Sequence, residues 1–268
     1  MDFRTVVDIP KPDFEIAPCE PLLFVGSCFA DQMGARFREE GFPVVVNPFG
    51  VMYNPASILH TIERYEDDIP RIVVLTLGTN HVYRQKETGE IVDNCEKRPQ
   101  HLFQEEVLTV EACADYLCRA ISLLHQRRPD VHVVLAVSPI RYRKYGYHGS
   151  QLSKATLLLA VERAIGHWHL AVSYFPSYEL LMDELRDYRF YADDMLHPSP
   201  QTVAYIWERL VETWFSSEAK AFLHEWRPLK QVLAHRPFHP EAPEYQALMD
   251  KTMLKVAELR KKYPTFAL

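Results

Sequence analysis

Residues 22–31 read "LLFVGSCFAD". The four residues at its start, Leu22 to Val25, are apolar and suit a buried strand. Gly26, Ser27 and Cys28 follow, and then a polar, helix-compatible sequence begins. A chain that stops a strand at a Gly-Ser turn and enters a helix there is able to hold a nucleophile at the strand end. The same pattern also describes an ordinary strand-to-helix turn in which Ser27 does no more than cap the helix. Which reading holds depends on what the chain puts at its other strand ends.

The bulk properties limit the choice of function. The chain has 268 residues, 47% of them hydrophobic and 25% charged, which suits a soluble globular protein with a substantial core. Thirty basic against 36 acidic side chains give a net charge of −6, which argues against nucleic acid as a partner because phosphate binding needs a clustered basic excess. The densest basic stretch, "RYRKYGYH" at 141–148, is short. No apolar run reaches the roughly 18–20 residues that span a bilayer. The N-terminal sequence carries acids and prolines and no apolar segment of the signal-peptide kind. Cys19, Cys28, Cys95, Cys113 and Cys118 are odd in number and lack C-x-x-C spacing, so free thiols and a cytoplasmic location are expected.

Along the chain, strand-like and helix-like segments alternate. An irregular arm (1–20) precedes a buried strand (21–26). Phe29, Met33 and Phe37 share a face of a helix over 28–40. "PVVVNPFG" reads as a second strand, and Asn54-Pro55 reads as a helix cap with proline in the first turn. "RIVVLTLGTN" (71–80) reads as a third strand, followed by a hairpin around Thr88-Gly89 and a helix over 110–127. "VHVVLAVSP" (131–139) reads as a fourth strand. Helices at about 150–166, 177–187 and 200–215, with a short strand at 171–175, complete the pattern, and a helical tail is interrupted by "HRPFHPEAPEYQ". Continuous apolar strands alternating with helices predict a parallel sheet covered on both faces. In such folds ligands bind beyond the carboxyl ends of the strands.

The strand ends carry chemistry. Ser27 follows the first strand, Asn47 and Gly50 the second, Gly78, Thr79 and Asn80 the third, and Ser138, Pro139 and Arg141 the fourth. Asp194 and His197 stand three apart in "YADDMLHPS" before the last main helix. This set suffices for acyl transfer: Ser27 as nucleophile, His197 as base, and Asp194 to fix the imidazole tautomer. Backbone N–H groups at Ser27 and Gly50 and the Asn80 amide are the expected oxyanion donors. Cys28 sits at a helix N-terminus, where the macrodipole favours a thiolate. It is therefore a second candidate nucleophile or oxidation target, against the plainer reading of a small packing residue. Asn47 reads as structural. His167 and His169 are spaced for one strand face but lack a third metal ligand.

These blocks resemble those of SGNH (GDSL-like) hydrolases. Within that superfamily, "GSCFA", "VNPFGVMYNPASI", "TLGTNHVY", "VSPIRY", "SKATLLLAV" and "YFPSYELLMDELRDYRFYADDMLHPS" resemble the GSCFA-domain family in order over most of residues 22–207, and "HRPFHP" is also similar. The resemblance implies an α/β fold, a three-layer sandwich with a mostly parallel sheet of about five strands flanked by helices. It places an SGNH-like hydrolase domain at 1–215 and a helical extension packed on it at 216–268. It implies ester or acyl-transfer chemistry on a small O-acyl ester or acylated sugar, with no metal or cofactor. A non-catalytic binding protein or an O-acyltransferase on the same fold remain the alternatives. The chain departs from the SGNH pattern in three places. That pattern reads Gly-Asp-Ser, whereas Gly26 here directly precedes Ser27. His81 follows Asn80 where Asp is usual, and Tyr142 stands where relatives carry His. Arg141, Tyr142 and His81 are the expected substrate-binding residues. Oligomeric state is not specified by the sequence.

Overall fold

Five parallel strands form the central sheet, in the order β2-β1-β3-β7-β8. The computed structural model describes residues 3–93, 95, 98–168 and 171–268. Met1 and Asp2 of the arm, Asn94 at the end of the hairpin, and His169 lie outside the described residues. The elements run β1 (Leu22–Gly26), α1 (Cys28–Glu39), β2 (Val44–Val46), α2 (Pro55–Arg64), β3 (Ile72–Leu77), β4 (His81–Gln85), β5 (Ile91–Val92), β6 (Phe103–Val107), α3 (Val110–Arg127), β7 (His132–Val137), α4 (Gly146–His167), β8 (Val172–Tyr174), α5 (Ser177–Glu179), α6 (Pro200–Trp214), α7 (Ser217–Ala234) and α8 (Pro243–Lys262).

The continuous apolar strands are explained by what covers them. In β1, Leu22 and Phe24 join a core with residues of α1, α6, α7 and α8, while Leu23 and Val25 join a second core with α2, α3 and α4. Each strand therefore buries both faces, which gives helix, sheet and helix layers. Phe37 of α1 meets Phe42 and Trp207 edge-on, with centroids 5.4 and 4.8 Å apart, a geometry that suits aromatic quadrupoles. The chain leaves β1 for β2 on one side and returns to β3 on the other. The crevice at that switch point lies beyond Gly26 and Leu77, where a ligand site is expected.

The helical tail contributes to the same core as α1. Trp226 donates from Nε1 to Glu39 O (3.2 Å), Lys230 pairs with Glu40 (2.7 Å), and Ala267 N donates to Gly41 O (3.0 Å). Phe266 fills the space over Gly41, where an added Cβ would meet its ring at 2.2 Å.

Three local features differ from the expectation. A third antiparallel strand, β6, pairs with β4, which sits between β5 and β6. Its sequence, "FQEEV", has no apolar run because its exposed face is polar. Helix α4 starts at Gly146, earlier than about 150. The helix expected over 177–187 covers only α5 and a widened turn at Leu180–Leu185, closed by Arg186 in the left-handed region at φ 46°. Among the described residues no helix is long and apolar enough to cross a membrane.

Candidate active site

Gly26 ends β1 with φ +147°, and a Cβ there would lie 2.1 Å from Thr76 O on β3. Only glycine allows this approach, and it delivers Ser27 and Cys28 to the mouth of the sheet. The two side chains then diverge. Ser27 is the N-cap of α1: its Oγ accepts from Phe29 N (3.2 Å). The same oxygen lies 2.6 Å from Ser138 Oγ and 3.3 Å from Thr76 Oγ1, and Ser27 is wholly out of solvent. Cys28, the first helical residue, is only partly buried, and its Sγ lies 3.5 Å from His197 Nε2.

The expectation of Ser27 in contact with His197 is therefore corrected. The capping hydrogen bond turns the Ser27 hydroxyl back into the protein, and the next residue meets the imidazole. As the first residue of α1, Cys28 also has a backbone N–H without an intrahelical acceptor.

His197 and Asp194 come together as expected. Asp194 Oδ2 lies 2.6 Å from His197 Nδ1, so Nδ1 carries the proton and Nε2 presents a lone pair toward Cys28. Asp194 Oδ1 accepts from Leu196 N (2.8 Å) and His197 N (3.0 Å). The His197 backbone N–H is the largest influence on the carboxyl and, with the ring and the Leu196 N–H, holds it down at about 2. Met195 at φ +61° closes this short turn. Two arginines after β7 hold its carbonyls: Arg141 Nη1 donates to Met195 O (3.1 Å) and Arg143 Nη2 to Asp194 O (3.3 Å). Arg141 N also donates to Leu196 O (3.0 Å). Arg141, expected at the substrate, thus braces the loop that carries the base. Its guanidinium also faces Tyr147, 4.3 Å from the ring centroid.

Burial raises the Cys28 thiol pKa, with the Asp31 charge adding to the rise. The residue's own backbone N–H, a hydrogen bond from the Tyr53 hydroxyl and the Lys154 charge oppose it. The thiol is thus neutral at rest, and a base is needed to make it a nucleophile.

The expected oxyanion donors are placed differently. Gly50 N donates to Asn47 O (2.8 Å) inside a turn. The Asn80 amide nitrogen donates to Leu108 O (2.7 Å), and Asn80 N donates to Ser153 Oγ (3.1 Å). Both groups hold the chain together in these contacts. Asn47 is structural, as expected, accepting from Gly26 N and donating to Asp31. His81 stacks on Tyr145 with centroids 3.6 Å apart and lies near Glu105, and burial lowers its pKa.

Two residues under the site carry more than their spacing showed. Lys154 is buried, and its Nζ donates to Gly78 O (2.7 Å) and Ser138 O (2.8 Å), the carbonyls just after β3 and β7. Burial lowers its pKa to about 7. Tyr142 is partly buried, but its hydroxyl is out of solvent and has no hydrogen-bond partner among the described residues. A cavity of about 250 Å³ lies beside the His197 loop, lined by Arg141, Tyr147, Tyr178, Tyr188 and Tyr191 among others.

The family model of the GSCFA family matches residues 21–70 and 68–210, and that of the GSCFA domain protein, C-terminal domain, matches 226–268. No curated protein matches the sequence. Among solved structures, the chain is similar to a member of the lipolytic protein G-D-S-L family from Veillonella parvula, at 13% identity over 72% of this chain and 97% of that one, TM-score 0.47. It is also similar to a GDSL-like lipase from Bacteroides thetaiotaomicron, at 14% identity over 72% and 86%, TM-score 0.43. A family two carbohydrate esterase from Clostridium thermocellum, in complex with cellohexaose, is 13% identical over 78% and 66%, TM-score 0.43.

Proposed function

The chain belongs to the GSCFA family, and from the site it carries we propose that it is an acyl hydrolase whose nucleophile is Cys28, with His197 as general base and Asp194 as the group that orients it. The observation behind this reading is the 3.5 Å approach of His197 Nε2 to Cys28 Sγ, with Asp194 on the other ring nitrogen. It replaces Ser27, which the sequence alone favoured, with its neighbour.

The chemistry follows from the geometry. His197 Nε2 takes the Cys28 proton as Sγ attacks the acyl carbonyl, and Asp194 stabilises the imidazolium. The tetrahedral oxyanion collapses and expels the alkoxide, which takes the proton from His197, leaving a thioester on Cys28. His197 then deprotonates a water that attacks the thioester. A second tetrahedral intermediate releases the carboxylic acid and returns the thiolate and imidazolium to their resting forms. A neutral thiol with a base beside it suits this sequence. Each step needs a base and later an acid at one position, and His197 is both.

The substrate class we propose is a small O-acyl ester, with a polar alcohol such as a sugar as the leaving group. The cavity beside the His197 loop is not lined by Cys28, His197 or Asp194; its tyrosines suit a polar ring in the part of the substrate that extends past the loop, because tyrosine offers both an apolar face and a hydroxyl. The test is direct. Protein exposed briefly to p-nitrophenyl acetate and acid-quenched is digested and analysed by mass spectrometry. The expected result is an acetyl group on the peptide containing Cys28, absent from Cys28→Ala and much reduced in His197→Ala. Acetylation at Ser27, or turnover that survives Cys28→Ala, overturns the assignment.

A further inference from the structure

Of the expected oxyanion donors, the Ser27 N–H is engaged with Thr76 O and the Gly50 N–H with Asn47 O, and the Asn80 amide gives one of its two N–H groups to Leu108 O. Resting on the Cys28 reading, we propose that the Tyr142 hydroxyl, together with the Cys28 backbone N–H, donates to the oxyanion of the reacting acyl group.

Three observations carry this. First, Tyr142 Oη is buried and has no partner among the described residues. Leaving a hydroxyl in that state is unfavourable, so native proteins rarely do so without a use for the group. Second, the hydroxyl is placed at the strand ends that frame the nucleophile. A Cβ built on Gly78 would lie 2.3 Å from Tyr142 Oη and 3.4 Å from Ser27 Cβ, so the hydroxyl and the residue before Cys28 flank one point. The absence of a side chain at Gly78 is what lets the hydroxyl sit there. Third, the ring is fixed. Tyr53 meets it edge-on at 6.4 Å, the Lys154 Nζ lies 5.3 Å from its centroid, and Tyr142 N donates to Ser150 Oγ (3.1 Å). A donor held rigidly before the reaction is what stabilises developing charge without reorganisation.

The chemistry fits a tyrosine. Desolvation, with smaller contributions from Cys28 and the neighbouring tyrosines, raises the Tyr142 pKa well above its ordinary value. The hydroxyl therefore keeps its proton throughout and acts as a hydrogen-bond donor, not as an acid. Because the oxygen of an ester carbonyl is only weakly charged and the oxyanion fully charged, the bond strengthens in the transition state.

The test compares two reactions of Cys28 in the same Tyr142→Phe preparation. Acetylation by p-nitrophenyl acetate passes through an oxyanion, whereas alkylation by iodoacetamide does not. Acetylation is expected to slow by about 10²–10³-fold with KM within a few-fold, while alkylation stays within about threefold of wild type. Because the missing hydroxyl had no partner, the melting temperature should hold or rise. Both rates refer to the same folded thiol, so partial misfolding cannot imitate the split. Acetylation within about threefold of wild type overturns the role of Tyr142. A parallel loss of both reactions also overturns it, since that shows an effect on the thiol and not on the oxyanion. If wild-type protein is alkylated at Cys28 but never acetylated there, the acyl-transfer reading itself fails, a result distinct from either of these.

Discussion

Removing the hydroxyl of Ser27 and the thiol of Cys28 separates stability from chemistry at two adjacent residues. Ser27 Oγ accepts from Phe29 N and contacts Ser138 Oγ and Thr76 Oγ1, all buried. Replacing an N-cap serine by alanine costs about 0.5–2 kcal/mol. Depriving a buried hydroxyl such as that of Ser138 of its partner adds about 1–3 kcal/mol. Ser27→Ala should therefore lose roughly 1.5–5 kcal/mol. At about 2–4 °C per kcal/mol for a chain of this size, that is a fall of about 3–20 °C in melting temperature. The Cys28–His197 pair is untouched, so kcat for p-nitrophenyl acetate measured well below the transition should stay within about tenfold. Cys28→Ala removes a partly buried sulfur and leaves no fully buried polar group unpaired, because the His197 side chain is 37% exposed. It should shift the melting temperature by a few degrees at most and abolish turnover. Calorimetry and steady-state kinetics on the two variants read both quantities. The reverse pattern, with Ser27→Ala stable and inactive and Cys28→Ala active, would refute the reasoning from the cap to the nucleophile.

Two pH dependences follow from the other charged groups. The folded-state pKa of Lys154, about 7, lies below the roughly 10.4 of an unfolded lysine. Below pH 7 both states carry the proton, and the folded state bears the full penalty of the buried ammonium. Between pH 7 and about 10 the unfolded chain binds more protons, so stability rises with pH by up to about 1.4 kcal/mol per unit. Urea titrations should show this slope in wild type and not in Lys154→Met; equal slopes would contradict a buried lysine that titrates. For Asp194 the slope has the same sign and lies in a lower pH window. Its folded value of about 2 lies below the unfolded value of about 3.9, so its contribution is complete above pH 4 and is lost as pH falls toward 2. Amide-exchange protection of Leu196 and His197 should therefore weaken between pH 4 and 2 in wild type, and should already be weak in Asp194→Asn. Unchanged protection in that variant would show that the turn does not depend on the carboxylate.

The fold was legible because its strands are continuous apolar runs punctuated by glycine and its helices carry periodic apolar faces and ordinary caps. The Asn54 cap, for example, accepts from Ser57 N as its Asn-Pro signature predicts. What was missed is what two-residue spacing does not encode. The strand β6 has a polar exposed face and pairs only because β4 is placed beside it. The Asn80 amide was expected in the cleft, but its acceptor, Leu108 O, lies far along the chain, so no local pattern could reveal it. The nucleophile is a subtler case. "GSC" places two reactive side chains in succession at one turn, and the choice between them depends on where α1 begins. A serine followed by a helical apolar face is an N-cap by preference, and an N-cap side chain points back at its own helix. The residue one step later takes the exposed first-turn position, beside an N–H with no helical acceptor. On the proposed reading, the capping rule removes Ser27 from the cleft, and the thiol of "Gly-Ser-Cys" stands where the Gly-Asp-Ser pattern has its serine. The missing Asp then needs no separate explanation, because Ser27 occupies its place.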